Sequence, residues 1–141
     1  MFSEETMISM GDGSFKKISE LRQFDFIYNK LKNPVKINTI IKVLQQPVLK
    51  VQLSESTFYT TPETLFLCVY YTEQGLVSKY MDIISIKKLN GKLKSSLKIF
   101  SNEPNIDIIS VTNNTKDVYR LTTLDSETSF FVNGVIVRCQ V

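Results

Sequence analysis

The sequence predicts an all-β fold, and three observations favour it. Runs of about four to eight residues rich in β-branched and aromatic side chains recur along the chain, separated by Gly, Pro and Asn. Two Asn-Gly dipeptides stand between such runs, and Asn-Gly is typical of a two-residue hairpin turn. No long segment shows the apolar period of an amphipathic helix. The length of 141 residues suits one domain, which we expect to cover residues 1–141.

The first half of the chain is predicted to contain one hairpin and a series of short strands. Residues 6–10 and 15–18 flank a glycine-rich turn and form the hairpin, and residues 19–22 favour one helical turn. Pro62 should end the strand before it, because proline cannot donate a ladder hydrogen bond. The other strands are expected at residues 24–28, 35–44, 48–53 and 57–61.

The second half is predicted to be equally rich in strands. Residues 65–71 form a continuous apolar and aromatic run, which is typical of a strand buried on both faces. Asn90-Gly91 predicts a hairpin between residues 86–89 and 92–94, and Asn133-Gly134 predicts another. So many short strands favour a closed or strongly curled sheet, which hides its edges. The other strands are expected at residues 77–86, 106–112, 118–124 and 130–137.

Composition excludes several classes of function. The chain has no histidine, which removes every mechanism that needs an imidazole base, acid or metal ligand. A net charge of +3 does not by itself favour nucleic acid. Cys68 and Cys139 are too few for a disulfide framework or a zinc site, so we expect reduced structural thiols and no metal or other cofactor. With no apolar run near the ~20 residues of a membrane span and no secretory signal visible, we expect an intracellular protein.

Four motifs, in order along the chain, carry a family resemblance. Residues 1–18 contain Met-Phe and then Thr-Met-Ile-Ser-Met-Gly-Asp-Gly, and Leu21 and Asp25 follow at the spacing Leu-x-x-x-Asp. Residues 61–67 read Thr-Pro-Glu-Thr-Leu-Phe-Leu. The chain closes with Val-Tyr-Arg-Leu at residues 118–121 and Phe-Phe-Val-Asn-Gly-Val-Ile-Val at residues 130–137. Together these blocks resemble those of inteins and bacterial intein-like domains of the Hedgehog/intein (Hint) family.

The resemblance implies both a fold and a chemistry. The fold is a horseshoe of mostly antiparallel strands with internal pseudo-two-fold symmetry, here without an inserted endonuclease. The chemistry is autoprocessing, in which a first-residue Cys or Ser attacks the preceding carbonyl carbon. A Thr-x-x-His block then protonates the departing nitrogen, and a final His-Asn pair cuts the other end by cyclisation of Asn.

The sequence departs from that pattern at the nucleophile and at the first histidine. Met1 stands at the nucleophile position, and a thioether has no proton to lose. If Met1 is the true start, no upstream peptide bond exists to be cleaved. Thr61 matches the second block, but Thr64 replaces its histidine.

The C-terminal blocks depart in the same way. Asp125 matches the family pattern, whereas Thr128 stands where many members carry another histidine. Arg138 and Cys139 occupy the places of the closing His-Asn pair. We therefore expect a degenerate, non-processing Hint domain that acts as a structural or protein-interaction module, such as a small subunit of a larger assembly, with no small-molecule substrate.

An alternative keeps part of the chemistry. Shifting the last block by one residue aligns Cys139 and Gln140 with His-Asn, and a glutamine side chain can in principle cyclise. The chain would then retain a slow C-terminal self-cleavage before Val141.

A lysine cluster is the other candidate site. No acidic residue lies between Asp82 and Glu103, and a hairpin there would place several lysines on one face. Such a patch suits an anionic partner such as nucleic acid, but edge-strand lysines also prevent aggregation between sheets, and we favour this second interpretation. The lysines are Lys87, Lys88, Lys92, Lys94 and Lys98.

Overall fold

The computed structural model describes residues 1–52, 56–90, 98–99, 110–124 and 129–138. Short β-strands dominate these residues, as the sequence predicts. The strands are β1 (Phe2–Ser3), β2 (Met7–Ser9), β3 (Phe15–Lys17), β4 (Phe26–Tyr28), β5 (Pro34–Gln52), β6 (Thr57–Thr60), β7 (Leu65–Thr72), β8 (Gly75–Met81), β9 (Lys98–Ile99), β10 (Ser110–Thr123), β11 (Ser129–Val132) and β12 (Val135–Arg138). A 3-10 turn covers Ile18–Glu20, and helix α1 covers Ile83–Asn90.

The strands form two sheets whose pairings are all antiparallel. One sheet has the order β10-β1-β6-β5-β4, and β10 also pairs directly with β5. The other has the order β3-β2-β11-β12-β7-β8, with β9 on β7. The predicted all-β class is therefore confirmed. The first and last strands of the described chain, β1 and β12, both lie inside a sheet rather than at its edge.

The long strand β5 is continuous where the sequence predicted two strands. It pairs with β10 along most of its length, and the pairing shifts register between Lys116 and Val118. Gln45 adopts a positive φ of 49° at this point, and its backbone N–H donates to Asp117 Oδ1 at 2.9 Å. A bulge bends a strand without ending its pairing, so the expected break becomes a bend.

The Asn133-Gly134 hairpin is present as predicted. Both residues have positive φ, 45° and 83°, which is the requirement of a type I′ turn. The Asn133 side chain also accepts a hydrogen bond from the Met7 backbone N–H at 2.8 Å and donates to the Thr57 carbonyl at 3.3 Å. The turn therefore ties β2 and the start of β6 to the β11–β12 hairpin.

The predicted hairpin around Asn90-Gly91 is wrong in its first half. Strand β8 ends at Met81, and residues 83–90 form helix α1. The Asp82 carboxylate accepts from the Ser85 backbone N–H at 2.7 Å, which caps the helix, and Ile83 and Ile86 are buried three residues apart. Residues 91–97 lie outside the described part of the chain. Within that part, no helix is long and apolar enough to cross a membrane.

Candidate functional site

Three buried threonines surround the backbone of Met1. Thr60 ends β6, and Thr61 and Thr64 lie in the turn that leads to β7. The Met1 nitrogen donates to Thr61 Oγ1 at 3.0 Å and to Thr64 Oγ1 at 3.3 Å. We call Thr60, Thr61 and Thr64 the threonine cluster. This cluster contains Thr61 and Thr64, the two second-block residues that the sequence indicated. Both contact Met1, which stands at the nucleophile position.

The turn after β6 is what brings these hydroxyls together. Pro62 follows the strand, and the Thr64 backbone N–H donates to the Thr61 carbonyl at 3.2 Å, so the two side chains meet on one side of the turn. Thr60 Oγ1 lies 2.7 Å from Thr64 Oγ1 and 3.1 Å from the Met1 carbonyl oxygen. That oxygen also accepts from the Thr61 backbone N–H at 3.0 Å.

The cluster can orient a peptide group but is poorly suited to proton transfer. A threonine hydroxyl offers one donor and accepts through its oxygen, and it neither gains nor loses a proton near neutral pH. The Met1 nitrogen and carbonyl are held from both sides by such groups. Thr60 was not predicted as a site residue, because it lies one residue before the second block; it shares the buried face of β6 with Phe58.

The last described strand reaches the same turn from the other side. Arg138 pairs with Leu65, the residue directly after Thr64, and with Ser129 across the hairpin. The Arg138 guanidinium lies 5.4 Å from the centre of the Tyr80 ring, and the Tyr80 hydroxyl hydrogen-bonds the Ser129 hydroxyl. Met1 and Arg138 therefore both border residues 61–65.

Tyr80 is a neighbour of this site that no sequence motif indicated. It lies on β8, far from the family blocks in sequence, and only the pairing of β7 with both β8 and β12 places it here. Lys30 also approaches the Tyr80 ring, at 6.0 Å from its centre. The site is thus flanked by an aromatic ring with two cations against it.

Several predicted site residues fall outside the described chain. These are Asp125, Thr128, Cys139, Gln140, Lys92 and Lys94. Lys98 belongs to β9, where only its backbone is described. Lys87 and Lys88 are exposed in the last turn of α1, so their predicted place on a hairpin face is wrong. Cations near a helix C-terminus interact favourably with its dipole, which gives these two lysines a local role.

Clustered metal ligands and reactive thiols are two further kinds of site group. Among the residues that the structure describes, no group of three or more His, Cys, Asp or Glu side chains is arranged to hold a metal ion. Cys68 lies on β7, fully buried, and its thiol donates to the Phe66 carbonyl at 3.4 Å. Burial raises the pKa of the Cys68 thiol to about 12, so it stays protonated at neutral pH.

This raised pKa predicts a loss of stability at alkaline pH. An unfolded cysteine has a pKa of roughly 8.5, so above that pH the unfolded chain releases a proton that folded Cys68 keeps. Stability is then fully present below the unfolded pKa and declines as pH rises toward the folded one. Between about pH 8 and pH 10 we expect Cys68 to lower the free energy of unfolding by ~2 kcal/mol.

Denaturant unfolding of the natural chain and of Cys68→Val across this pH range measures the difference. Every other ionisable group is common to the two proteins, so its effect cancels. An identical decline in the two proteins would contradict the assignment to Cys68.

The fold is that of known inteins. The chain superimposes on a DnaB intein from Synechocystis sp. PCC 6803 with a TM-score of 0.72 and 18% identity, over 99% of this chain and 98% of that one. The gp41-1 intein matches with a TM-score of 0.68 and 16% identity, over 97% and 96%. The MchDnaB-1 intein matches with a TM-score of 0.66 and 12% identity, over 99% and 100%. The chain therefore has the all-β Hint fold that its motifs predicted.

Sequence comparison alone gives no such link. No family model matches the sequence, and no curated protein matches it.

Proposed function

We propose that this chain is a degenerate Hint domain, spanning residues 1–141, that does not process itself and serves as a structural or protein-interaction module. The Hint fold is the premise. The observation that carries the proposal is the threonine cluster: the Met1 nitrogen donates to the hydroxyls of Thr61 and Thr64, and Thr64 stands in the place of the second-block histidine. Neither hydroxyl can protonate a departing nitrogen near neutral pH.

The other catalytic positions support the same proposal. A Met1 thioether cannot add to a carbonyl carbon and leave an acyl intermediate, because it has no proton to lose. Arg138, at the place of the penultimate histidine, carries a guanidinium that stays protonated in proteins. It can polarise a neighbouring carbonyl as a fixed charge, but it cannot pass a proton. The family fold is thus combined with residues unsuited to each proton transfer.

The features of the fold that this chain retains are suited to a binding role. Both ends of the described chain are fixed inside sheets, and the site between them is filled by buried hydroxyls. Such a domain offers a rigid surface to other protein subunits of an assembly. The exposed lysines of α1 add charge to that surface.

The alternative function, slow C-terminal self-cleavage through Gln140, also has one observation in its favour. Strand β12 brings Arg138 alongside Leu65, so the chain leaves the sheet next to the turn that contacts Met1. In that position the Arg138 charge can stabilise a developing oxyanion, as hydrogen-bond donors do in acyl-transfer sites.

The two functions predict different masses for a fusion protein. With the chain placed between two reporter domains, we expect the intact mass to persist for days at neutral pH, because neither threonine hydroxyl at the Met1 nitrogen supplies the required proton. Intact-mass spectrometry measures this directly. A fragment cut after Gln140 that disappears in Gln140→Ala would instead establish the self-cleaving alternative.

A further inference from the structure

A groove distinct from the threonine cluster lies between two rigid turns. One is the turn between β2 and β3, and the other is the loop between β4 and β5. The groove has a volume of about 180 Å³. That is smaller than a typical drug-sized pocket of roughly 300–1,000 Å³ and suits a single ring or short side chain. Its lining residues are Ser9, Gly13, Phe15, Tyr28, Lys32 and Phe131.

Ser9 gives the groove an unused hydrogen-bonding group. The residue is only 6% exposed, yet it lines the groove, and its hydroxyl has no hydrogen-bond partner among the described residues. The Ser9 hydroxyl borders the groove, where it can donate to or accept from solvent or a ligand. The half-buried Tyr28 contributes a second hydroxyl-bearing side chain to the lining.

Lys32 adds a positive charge on a rigid loop. The Asn29 side-chain oxygen accepts from the backbone N–H groups of Leu31 and Asn33, each at 3.0 Å, and the Lys32 N–H donates to the Asn29 carbonyl at 2.9 Å. Lys32 itself has a positive φ of 60°, which this loop maintains. Within the described residues no carboxylate lies within ion-pair distance of its ammonium group.

The remaining walls are apolar or open. Phe15 is 60% exposed at the rim, whereas Phe131 is buried. Gly13 has a φ of 88° and no atoms within 4 Å of where a Cβ would stand, so backbone forms that side. The carboxylate of Asp12, in the same turn, accepts hydrogen bonds from the Ser14 hydroxyl and from the Ser14 backbone N–H, and these two bonds lower the pKa of Asp12.

We propose that this groove binds a carboxylate carried on an aromatic or aliphatic body. The Lys32 ammonium pairs with the carboxylate, and the Ser9 and Tyr28 hydroxyls donate to it. Phe15 and Phe131 contact the apolar body. Because both turns are preformed, little ordering opposes binding. The carboxylate belongs either to a small organic acid or to the C-terminal residue of a peptide, since both present the same chemistry.

An NMR titration of the full chain tests the proposal with defined probes. Benzoate should saturate the shifts of the lining residues, whereas the neutral isostere benzamide should bind at least about tenfold more weakly, because it lacks the charge that Lys32 pairs with. Lys32→Gln should weaken benzoate by a similar factor. Lys87→Gln, on α1 away from the groove, is the matched control and should leave binding unchanged.

Two further measurements sharpen the result. Ser9→Ala removes no protein hydrogen bond, so the variant should fold, and it should weaken benzoate several-fold. A short peptide ending in a free Phe carboxylate, compared with its amide, identifies the source: a peptide that binds more tightly than benzoate points to a protein terminus, and the reverse order points to a small acid.

Three outcomes overturn the proposal. They are the absence of saturable binding for both benzoate and the peptide, equal affinity for benzoate and benzamide, and equal weakening by Lys32→Gln and Lys87→Gln. The last would indicate non-specific attraction to a chain of net charge +3.

Discussion

Replacing Met1 by cysteine and Thr64 by histidine is expected to restore thiol-dependent cleavage before residue 1 in a chain fused to an upstream domain. Thr64 Oγ1 already lies 3.3 Å from the Met1 nitrogen, so an imidazole at this position reaches the atom that must leave. Thr61 keeps its own contact with that nitrogen at 3.0 Å. The two substitutions thus supply a thiol nucleophile and an imidazole to a site in which residues 61 and 64 already contact the nitrogen of residue 1.

The chemistry of the double variant follows from these two groups. The Cys thiol gives its proton to the introduced imidazole and adds to the carbonyl carbon of the preceding residue, forming a C–S bond. The C–N bond then breaks as the imidazolium gives its proton to the nitrogen, leaving a thioester. Added thiol exchanges with it and releases the upstream domain. Positioned acid catalysis contributes roughly 10²–10⁴-fold, and we expect the double variant to exceed Met1→Cys alone by a factor in that range.

The single variants are the controls. Thr64→His alone has no nucleophile and should remain intact, and Met1→Cys alone should cleave slowly. Thr64→His also removes a hydroxyl beside Thr60, whose own hydroxyl still lies 3.1 Å from the Met1 carbonyl oxygen. A circular dichroism spectrum checks that the variants fold. Equal rates for Met1→Cys and the double variant would show that hydroxyls suffice, and would remove the main support for the degenerate-domain proposal.

Local sequence signals predicted those parts of the structure that local chemistry determines. Asn133-Gly134 forms its turn because both residues tolerate positive φ. Pro62 stands two residues after Thr60, the last residue of β6, as expected of a residue without an N–H donor. Thr61 and Thr64 were singled out by a motif, and both hydroxyls accept from the Met1 nitrogen. Each depends on a few neighbouring residues.

Features that depend on distant residues were not predicted. Residues 83–90 carry β-branched side chains and end at the Asn of an Asn-Gly dipeptide, yet they form a helix, because Ile83 and Ile86 are buried in the core built by distant strands. The approach of Tyr80 to Arg138 depends on both β8 and β12 lying against β7. The spacing of residues along the sequence does not indicate which strands pair with β7, so Tyr80 could not be assigned to the site.

Phe130→Ala is expected to destabilise the fold strongly. Phe130 is fully buried on β11, and its ring meets the ring of Phe2 edge to face, with centroids 6.0 Å apart and planes at 80°. Phe2 belongs to β1 in one sheet and Phe130 to the other, so this contact joins the two sheets. Truncation of a buried Phe typically costs about 3–5 kcal/mol, which is a large fraction of the roughly 5–15 kcal/mol of a whole domain.

Urea denaturation at constant m-value measures this loss, with Phe26→Ala as the matched control. Phe26 is 49% exposed, so its truncation leaves no closed cavity and should cost less than ~1.5 kcal/mol.

Adding Phe2→Ala completes a double-mutant cycle, and we expect a coupling of about 0.5–1.5 kcal/mol for the edge-to-face pair. Because Phe2 directly follows Met1, loss of this contact should also loosen the hold of the threonine cluster on residue 1. Equal costs for Phe130→Ala and Phe26→Ala would mean that the sheets are held together elsewhere.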